Sequence, residues 1–161
     1  MIIKDTKGNE LLEIITGEEN DMEQRYSQIT HCLLVVKIED DYLMGWNKWR
    51  NNWEIFGGCR EEGESIRECI ERECYEELGL KGLDYKFCGL MYYKMAPGYF
   101  NPKWHYEYGA LYGVTLSKEY LEIIEKERLD KEEIQKLSLL REIDENEPIA
   151  IIDKKLLEYW S

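Results

Sequence analysis

Three glutamates in the middle of the chain have the spacing expected of a divalent-cation site. Glu73, Glu76 and Glu77 lie three and four residues apart. On a helix that turns about 100° per residue they share one side. Like charges at these spacings destabilise a helix unless something compensates them. Hard cations such as Mg²⁺ take carboxylate oxygens, so the spacing predicts that these three side chains hold a metal ion.

The same stretch, from Gly57 to Leu80, contains other glutamates whose expected roles differ. Glu64 stands just before the predicted helix, where a carboxylate can cap free N–H groups. Its alternative role is that of a ligand or orienting partner that faces the three acids. The remaining glutamates of the stretch are expected to be solvated surface charges: Glu61, Glu62, Glu68 and Glu71.

The helix that must position these acids is predicted over residues 65–79. Ile66, Ile70 and Cys74 recur every four residues and Leu78 continues the series, which is one apolar stripe at helical spacing. Gly79 is a suitable residue to end the helix. The three acids lie beside this stripe, so they are expected at the edge of the buried face.

The segments around this helix are mostly typical of strands. The run THCLLVVKIE predicts a buried strand, and DDYLMGWNK predicts its partner after a tight turn. Further strands are predicted for NNWEIFGG, DYKFCGLMYYKM and HYEYGALYGVTL, and an N-terminal hairpin for residues 1–16. GEENDMEQRY is predicted as a loop or short turn, SKEYLEIIEKERL and DKKLLEYW as helices, and EEIQKLSLLREI is ambiguous. Strands on both sides of one strong helix favour an α/β layered fold with a mixed sheet.

Length and composition favour one compact domain over residues 1–161. The net charge of -13 disfavours extended nucleic-acid binding, because the phosphates would be repelled. Five cysteines without a C-x-x-C pair indicate reduced thiols, and we expect a cytoplasmic protein. No apolar run approaches eighteen residues, so no membrane span is predicted.

The residues from Gly58 to Leu80 resemble the Nudix box. Its fixed positions match Gly58, Glu64, Arg72, Glu73, Glu76, Glu77 and Gly79, with Leu80 at the final apolar position. Cys74 stands where a larger aliphatic residue is more usual. The resemblance implies the Nudix fold, an α/β/α sandwich with a mixed sheet.

The resemblance also implies site roles. Glu73, Glu76 and Glu77 would bind Mg²⁺ or Mn²⁺, with the Gly58 carbonyl as a plausible further ligand. Arg72 would hold a carboxylate of the cluster through a charge-assisted bond. Glu64 would assist at the metal or pair with Arg72. Glu76 is the first choice as general base, and Glu107, an acid from a later segment, is the second.

The activity implied is metal-dependent hydrolysis of a pyrophosphate linkage in a nucleoside diphosphate compound. A nucleoside triphosphate, intact or damaged, is the first substrate class, with the monophosphate and pyrophosphate as products. ADP-ribose or a nucleotide sugar is the alternative, and a non-catalytic nucleotide sensor is a weaker one. Such sensors tend to lose box glutamates, and all of them are present here.

Aromatic side chains in one loop are candidates for binding the rest of the substrate. Tyr99, Phe100 and Trp104 lie close to Pro97, Gly98 and Pro102, and a loop that carries three large aromatics needs a reason for them. Aromatic rings can stack on a nucleobase or fill a subunit contact. We therefore expect this loop to bind substrate or to contribute to a homodimer.

Overall fold

The computed structural model describes all 161 residues. Nine strands form one sheet, with bounds β1 Ile3–Lys4, β2 Glu10–Ile15, β3 Ile29–Ile38, β4 Asp41–Asn47, β5 Asn52–Glu54, β6 Phe56–Cys59, β7 Lys86–Met95, β8 His105–Leu116 and β9 Ile134–Leu139. The helices are α1 Glu19–Arg25, α2 Ile66–Leu78, α3 Glu119–Glu127 and α4 Ile151–Leu156. Short 3₁₀ turns follow β9 and α4, at Leu140–Glu142 and Leu157–Tyr159.

The sheet is mixed, as the sequence pattern and the resemblance predict. Its order is β1-β2-β7-β8-β3-β4-β5, with β6 also paired to β3 and β9 to β4. The pair β3 and β8 runs parallel, and the other named pairs are antiparallel. β1 and β2 form the N-terminal hairpin around a turn in which Asp5 accepts hydrogen bonds from the amides of Lys7 and Asn9.

Helices cover both faces of the sheet, which makes the three layers of the predicted sandwich. On one face α1, α2 and α3 contribute Met22, Ile70 and Ile124 to the larger hydrophobic cluster. On the other face α4 contributes Ile152 and Leu156 to a second cluster. The apolar stripe of α2 is fully buried, so the helix that carries the acids is fixed against the sheet.

Two local predictions were wrong. The polar segment predicted as a loop or turn contains α1, because Met22 is buried and Glu19 and Glu23 bond to Arg67 and to the Ile66 amide of α2. Those partners are remote in sequence and invisible to local pattern. The segment NNWEIFGG, predicted as one strand, is divided at Ile55 into β5, which pairs with β4, and β6, which pairs with β3.

No helix of the chain combines the length and the apolar character needed to cross a membrane.

Candidate functional site

Helix α2 starts and ends at residues whose types suit those positions. Ser65 is the N-cap, and its hydroxyl accepts a hydrogen bond from the Glu68 amide while the Glu68 carboxylate accepts one from the Ser65 amide. This reciprocal capping box satisfies two otherwise free donors. Glu68, expected to be surface charge only, therefore has a structural role. Glu64, considered as a cap, does not cap the helix.

Arg72 is the centre of the charge network at the site. Its guanidinium bonds both oxygens of Glu64, at 2.7 and 3.1 Å, and Oε1 of Glu73 at 3.0 Å. It also donates to the Cys59 carbonyl at 2.9 Å and lies 3.5 Å from Glu76. The bond to Arg72 lowers the pKa of Glu64 to about 2. Glu64 is thus placed to orient Arg72, one of the two roles considered for it.

The three acids of the predicted metal set differ in exposure. The Glu76 side chain is 47% exposed and the Glu73 side chain 12%. Glu77 is buried, and its Oε1 accepts a hydrogen bond from the Gly57 amide at 2.7 Å. Burial raises the pKa of Glu73 and raises that of Glu77 well above its usual value. When these two carboxylates are ionised, the positive charge near them does not offset the cost of burying them.

Gly58 lies directly against Glu73. A Cβ atom at residue 58 would come within 2.5 Å of Glu73 Oε1, so only glycine allows the carboxylate to approach the backbone this closely. The Gly58 carbonyl accepts a weak bond from the Cys69 thiol at 3.8 Å. The glycine of the box thus makes room for an acid of the helix.

A large cavity opens beside these residues. Its volume is about 830 Å³, and Glu73, Glu76 and Gly58 contribute to its wall. Glu107 also lines it and pairs with His105 Nε2 at 3.0 Å. Glu64, Arg72 and Glu77 lie outside the lining, behind the acids that do face it. A cavity of this size is in the range that holds a small-molecule ligand.

The aromatic loop does not contribute to the wall of this cavity. Tyr99 and Phe100 are almost fully exposed, at 95% and 97%, and pack edge to face against each other. Trp104 is 53% exposed and lies under the Lys94 ammonium. It also lies near Gly8, next to the hairpin turn that does line the cavity. The structure therefore separates these three residues from the acids of α2.

Five further acids line the cavity and were not singled out by sequence reasoning: Asp5, Glu54, Asp130, Glu133 and Asp153. Asp130 and Glu133 come from the segment between α3 and β9, and Asp153 comes from α4. The charge of Glu133 adds to the raised pKa of Glu73 and Glu77, and that of Asp130 adds to Glu77. In an acidic chain, isolated aspartates and glutamates give no local signal, and only the fold brings these to the cavity.

Asp153, on α4, is an acid of the cavity wall with a raised pKa. Its Oδ2 accepts a hydrogen bond from the Ile55 amide at 2.9 Å. Burial, with the nearby charge of Glu54, raises the pKa of Asp153 to about 7. Glu54 is itself held by a bidentate pair with Arg50, at 2.7 and 2.9 Å. The cavity thus has a second acidic region away from α2.

The acids of α2 suit a divalent cation by their chemistry. The donors are carboxylate and carbonyl oxygens, which Mg²⁺ and Mn²⁺ prefer. No three acidic, histidine or cysteine side chains converge as a ready metal site, since Arg72 bonds Glu73 and the Gly57 amide bonds Glu77. The buried, undercompensated charge of Glu73 and Glu77 is nonetheless what a cation would neutralise.

Comparison with known proteins finds one matching family model and several similar solved structures. The family model described as NUDIX domain matches residues 25–159. The Bacillus subtilis pyrophosphohydrolase BsRppH, solved as a mutant, is similar at 18% identity and a TM-score of 0.63, over 98% of this chain and 91% of that one. No curated protein matches by sequence.

Two other solved structures are similar over most of their length. A MutT NUDIX hydrolase from Burkholderia pseudomallei has 15% identity and a TM-score of 0.61, over 83% of this chain and 98% of that one. The NUDIX domain of Shewanella oneidensis NrtR, complexed with ADP ribose, has 13% identity and a TM-score of 0.60, over 89% and 96%. At these identities the structures show a shared fold.

Proposed function

We propose that this chain, which belongs to the NUDIX domain family, is a pyrophosphohydrolase whose substrate is a nucleoside triphosphate. The reaction is hydrolysis of the pyrophosphate linkage, with Mg²⁺ or Mn²⁺, to the nucleoside monophosphate and pyrophosphate. Damaged nucleotides fall within this class.

One observation carries this proposal. The box residues Glu73, Glu76 and Gly58 line the same cavity, while Arg72 and Glu77 support them from behind. A catalytic site needs acidic oxygens at a surface that a substrate can reach, and a rigid set of partners that keeps them there. The arrangement meets both requirements.

The metal would be held by Glu73, Glu76 and Glu77, with the Gly58 carbonyl as a further ligand. When bound, a divalent ion neutralises phosphate charge and lowers the pKa of a water molecule. The protein's own part is to hold these oxygens in place. Arg72 fixes Glu73 from one side at 3.0 Å, and the Gly57 amide fixes Glu77 at 2.7 Å.

Glu76 is the proposed general base. It is the most exposed of the three acids. Its side chain has only a long contact with Arg72, at 3.5 Å, so its oxygens can bond a water molecule. As the water oxygen bonds to phosphorus, the phosphoanhydride P–O bond breaks and Glu76 takes the water proton. Glu107 lines the cavity as well and is the second choice.

ADP-ribose or a related dinucleotide is the second candidate substrate. It is favoured by the similarity to the NrtR domain, which was solved with ADP ribose. The cavity also extends from α2 to the residues around Asp153, so it has room for a group beyond the diphosphate.

The aromatic loop is proposed as a subunit contact of a homodimer. Tyr99 and Phe100 are almost entirely exposed and away from the cavity, which fits association better than substrate stacking. Sedimentation of the wild type and of a Tyr99→Ser/Phe100→Ser double variant tests this. A wild-type monomer at tens of micromolar would exclude the contact.

The activity is tested with a broad nucleotide panel in Mg²⁺ and in Mn²⁺. We expect turnover of one or more nucleoside triphosphates and none in excess chelator. Glu76→Gln should lower kcat by about 10²–10⁴-fold, because it removes the base and a ligand oxygen. Glu71→Gln is the matched control, since Glu71 is an exposed glutamate of the same helix.

Three outcomes would contradict parts of this proposal. Full turnover by Glu76→Gln would exclude that residue as the base. Tight nucleotide binding without turnover of any panel member would indicate a sensor instead. Turnover of ADP-ribose alone would favour the second candidate substrate.

A further inference from the structure

A buried arginine outside the Nudix box has an arrangement that the catalytic residues do not explain. Arg128 follows α3 and is only 7% exposed. Its guanidinium donates to three backbone carbonyls, those of Asp130 at 3.2 Å, Ile134 at 2.6 Å and Gln135 at 3.1 Å. No carboxylate forms an ion pair with it, and its Nε is buried without a partner. A buried charge bound only to carbonyls is costly to keep.

The three carbonyls belong to one segment, residues 129–135, called here the acidic loop. Inside this loop, Asp130 Oδ1 accepts hydrogen bonds from the amides of Glu132 and Glu133, each at 3.0 Å. Arg128 therefore closes the loop from its two ends, while Asp130 folds the middle. A planar guanidinium with five donors can join several carbonyls at once.

The acidic loop is attached to the catalytic helix at the residue proposed as the base. The amides of Leu129 and Asp130 both donate to the Glu76 carbonyl, at 3.2 and 2.9 Å. On the other side, Glu133 bonds Asn47 Nδ2 at 3.2 Å and lies 3.5 Å from Arg50. Asp130 and Glu133 both reach the cavity wall that Glu76 lines. The loop thus connects the end of α2 to Arg50, which also lines the cavity.

We propose that Arg128 is a positioning residue of the active site, which holds Asp130 and Glu133 against the acids of α2 and so strengthens cation binding there. This inference rests on the proposed function, because it assigns the loop acids to the same cation. Arg128 touches neither substrate nor metal. It acts through the backbone of the acidic loop. Because Arg128 pairs with no carboxylate, it does not neutralise Asp130, whereas Glu133 lies 3.5 Å from Arg50.

The experiment compares Arg128→Lys with the wild type in two measurements that need no substrate. Lysine keeps the charge but cannot bond three carbonyls in a plane. We expect amide hydrogen exchange at Leu129, Asp130 and Glu133 to become at least about 10-fold faster. We also expect Mn²⁺ affinity, measured by isothermal titration, to fall by about 10-fold, as for other residues that orient metal ligands.

Arg141→Lys is the matched control. Arg141 also bonds a backbone carbonyl, that of Asp40, but its side chain is exposed and does not line the cavity. It should change neither measurement. A folded Arg128→Lys protein with wild-type exchange and wild-type Mn²⁺ affinity would overturn the proposal.

A second variant covers the case in which Arg128→Lys does not fold. Glu133→Gln keeps the shape of the side chain and its capacity to accept from Asn47, but removes the charge. We expect Mn²⁺ affinity to fall severalfold, and an unchanged affinity would overturn the proposed part of the loop. Failure of the proposed function would be seen separately, as absent turnover by a wild-type protein that still binds Mn²⁺.

Discussion

At the scale of single residues, the site depends on which acids have a cationic or amide partner. Arg72 donates hydrogen bonds to Glu64 and Glu73, and the Gly57 amide donates one to Glu77. Glu76 keeps the greatest exposure. The same residue types at neighbouring helix positions therefore have different chemistry, because one is buried and bonded while another meets solvent.

Asp153 gives a pH-dependent prediction at this scale. Its pKa of about 7 in the folded chain lies above the usual 3.8, so the folded state binds a proton more tightly than the unfolded state between these values. The free energy of unfolding should therefore fall by about 2–3 kcal/mol as pH rises from about 5 to about 8. Asp153→Asn should remove most of this fall, measured by urea unfolding at pH 5 and pH 8.

Neighbouring charged and polar groups also shift the pKa of Asp153. Glu54 and Asp5 raise its pKa, while Arg50 and the Ile55 amide lower it. Asp84→Asn serves as the control, because the Asp84 side chain is 82% exposed. An Asp153→Asn protein with the same pH dependence as the wild type would show that Asp153 is ionised at pH 5.

At the scale of elements, α2 is the part on which the site depends. Its start is stabilised by the Ser65 and Glu68 capping box. Its end is Gly79, in the left-handed conformation with φ of 72°. A Cβ atom there would lie 2.4 Å from the Glu127 carbonyl, so glycine also lets the end of α2 meet the end of α3. The acidic loop follows directly from that meeting point.

Comparing Gly79 with Gly82, which has a similar positive φ, separates the effect of backbone strain from that of the close contact with α3. Gly82 also has a positive φ, of 66°, but has open space where a Cβ would be. Gly82→Ala should cost about 1 kcal/mol of unfolding free energy, from backbone strain alone. Gly79→Ala should cost about 3 kcal/mol or more, since the backbone of Glu127 must also move.

Denaturant unfolding of both variants measures this difference. An equal loss of unfolding free energy in both variants would mean that the end of α3 shifts easily to make room. The close approach of the two helices would then be unimportant for stability.

At the scale of the whole molecule, the cavity is assembled from segments that are far apart in the chain. The hairpin turn near Asp5 and Lys7, the box residues, the acidic loop and α4 all contribute to its wall. The chain as a whole carries a net charge of -13. The fold therefore concentrates acids that already repel each other, in a chain that is acidic throughout.

This charge predicts that salt stabilises the protein. Self-repulsion destabilises the compact state, and ions screen it within about 10 Å at 0.1 M. We expect the thermal midpoint to rise by a few degrees when NaCl is raised from about 0.02 to 0.2 M. Differential scanning calorimetry measures this, and a falling midpoint would mean that attractive ion pairs outweigh the net repulsion.

Much of the fold was open to prediction because its signals are local. Helix α2 lies within one residue of the predicted bounds, since an unbroken apolar stripe and a terminal glycine define it. The strands with continuous β-branched runs were found for the same reason. Helix α1 was missed because it has a single buried residue, Met22, and its stabilising partners lie on α2.

The sequence by itself determined the family, the mixed α/β fold and the acids of the box, because each depends on residue type and near spacing. Only the tertiary structure decided how those acids are used. It paired Glu64 with Arg72, buried Glu77 behind Gly57, and brought Asp130, Glu133 and Asp153 to one cavity. The physical reason is that burial, hydrogen bonding and charge act through space, and no local pattern records which distant segments meet.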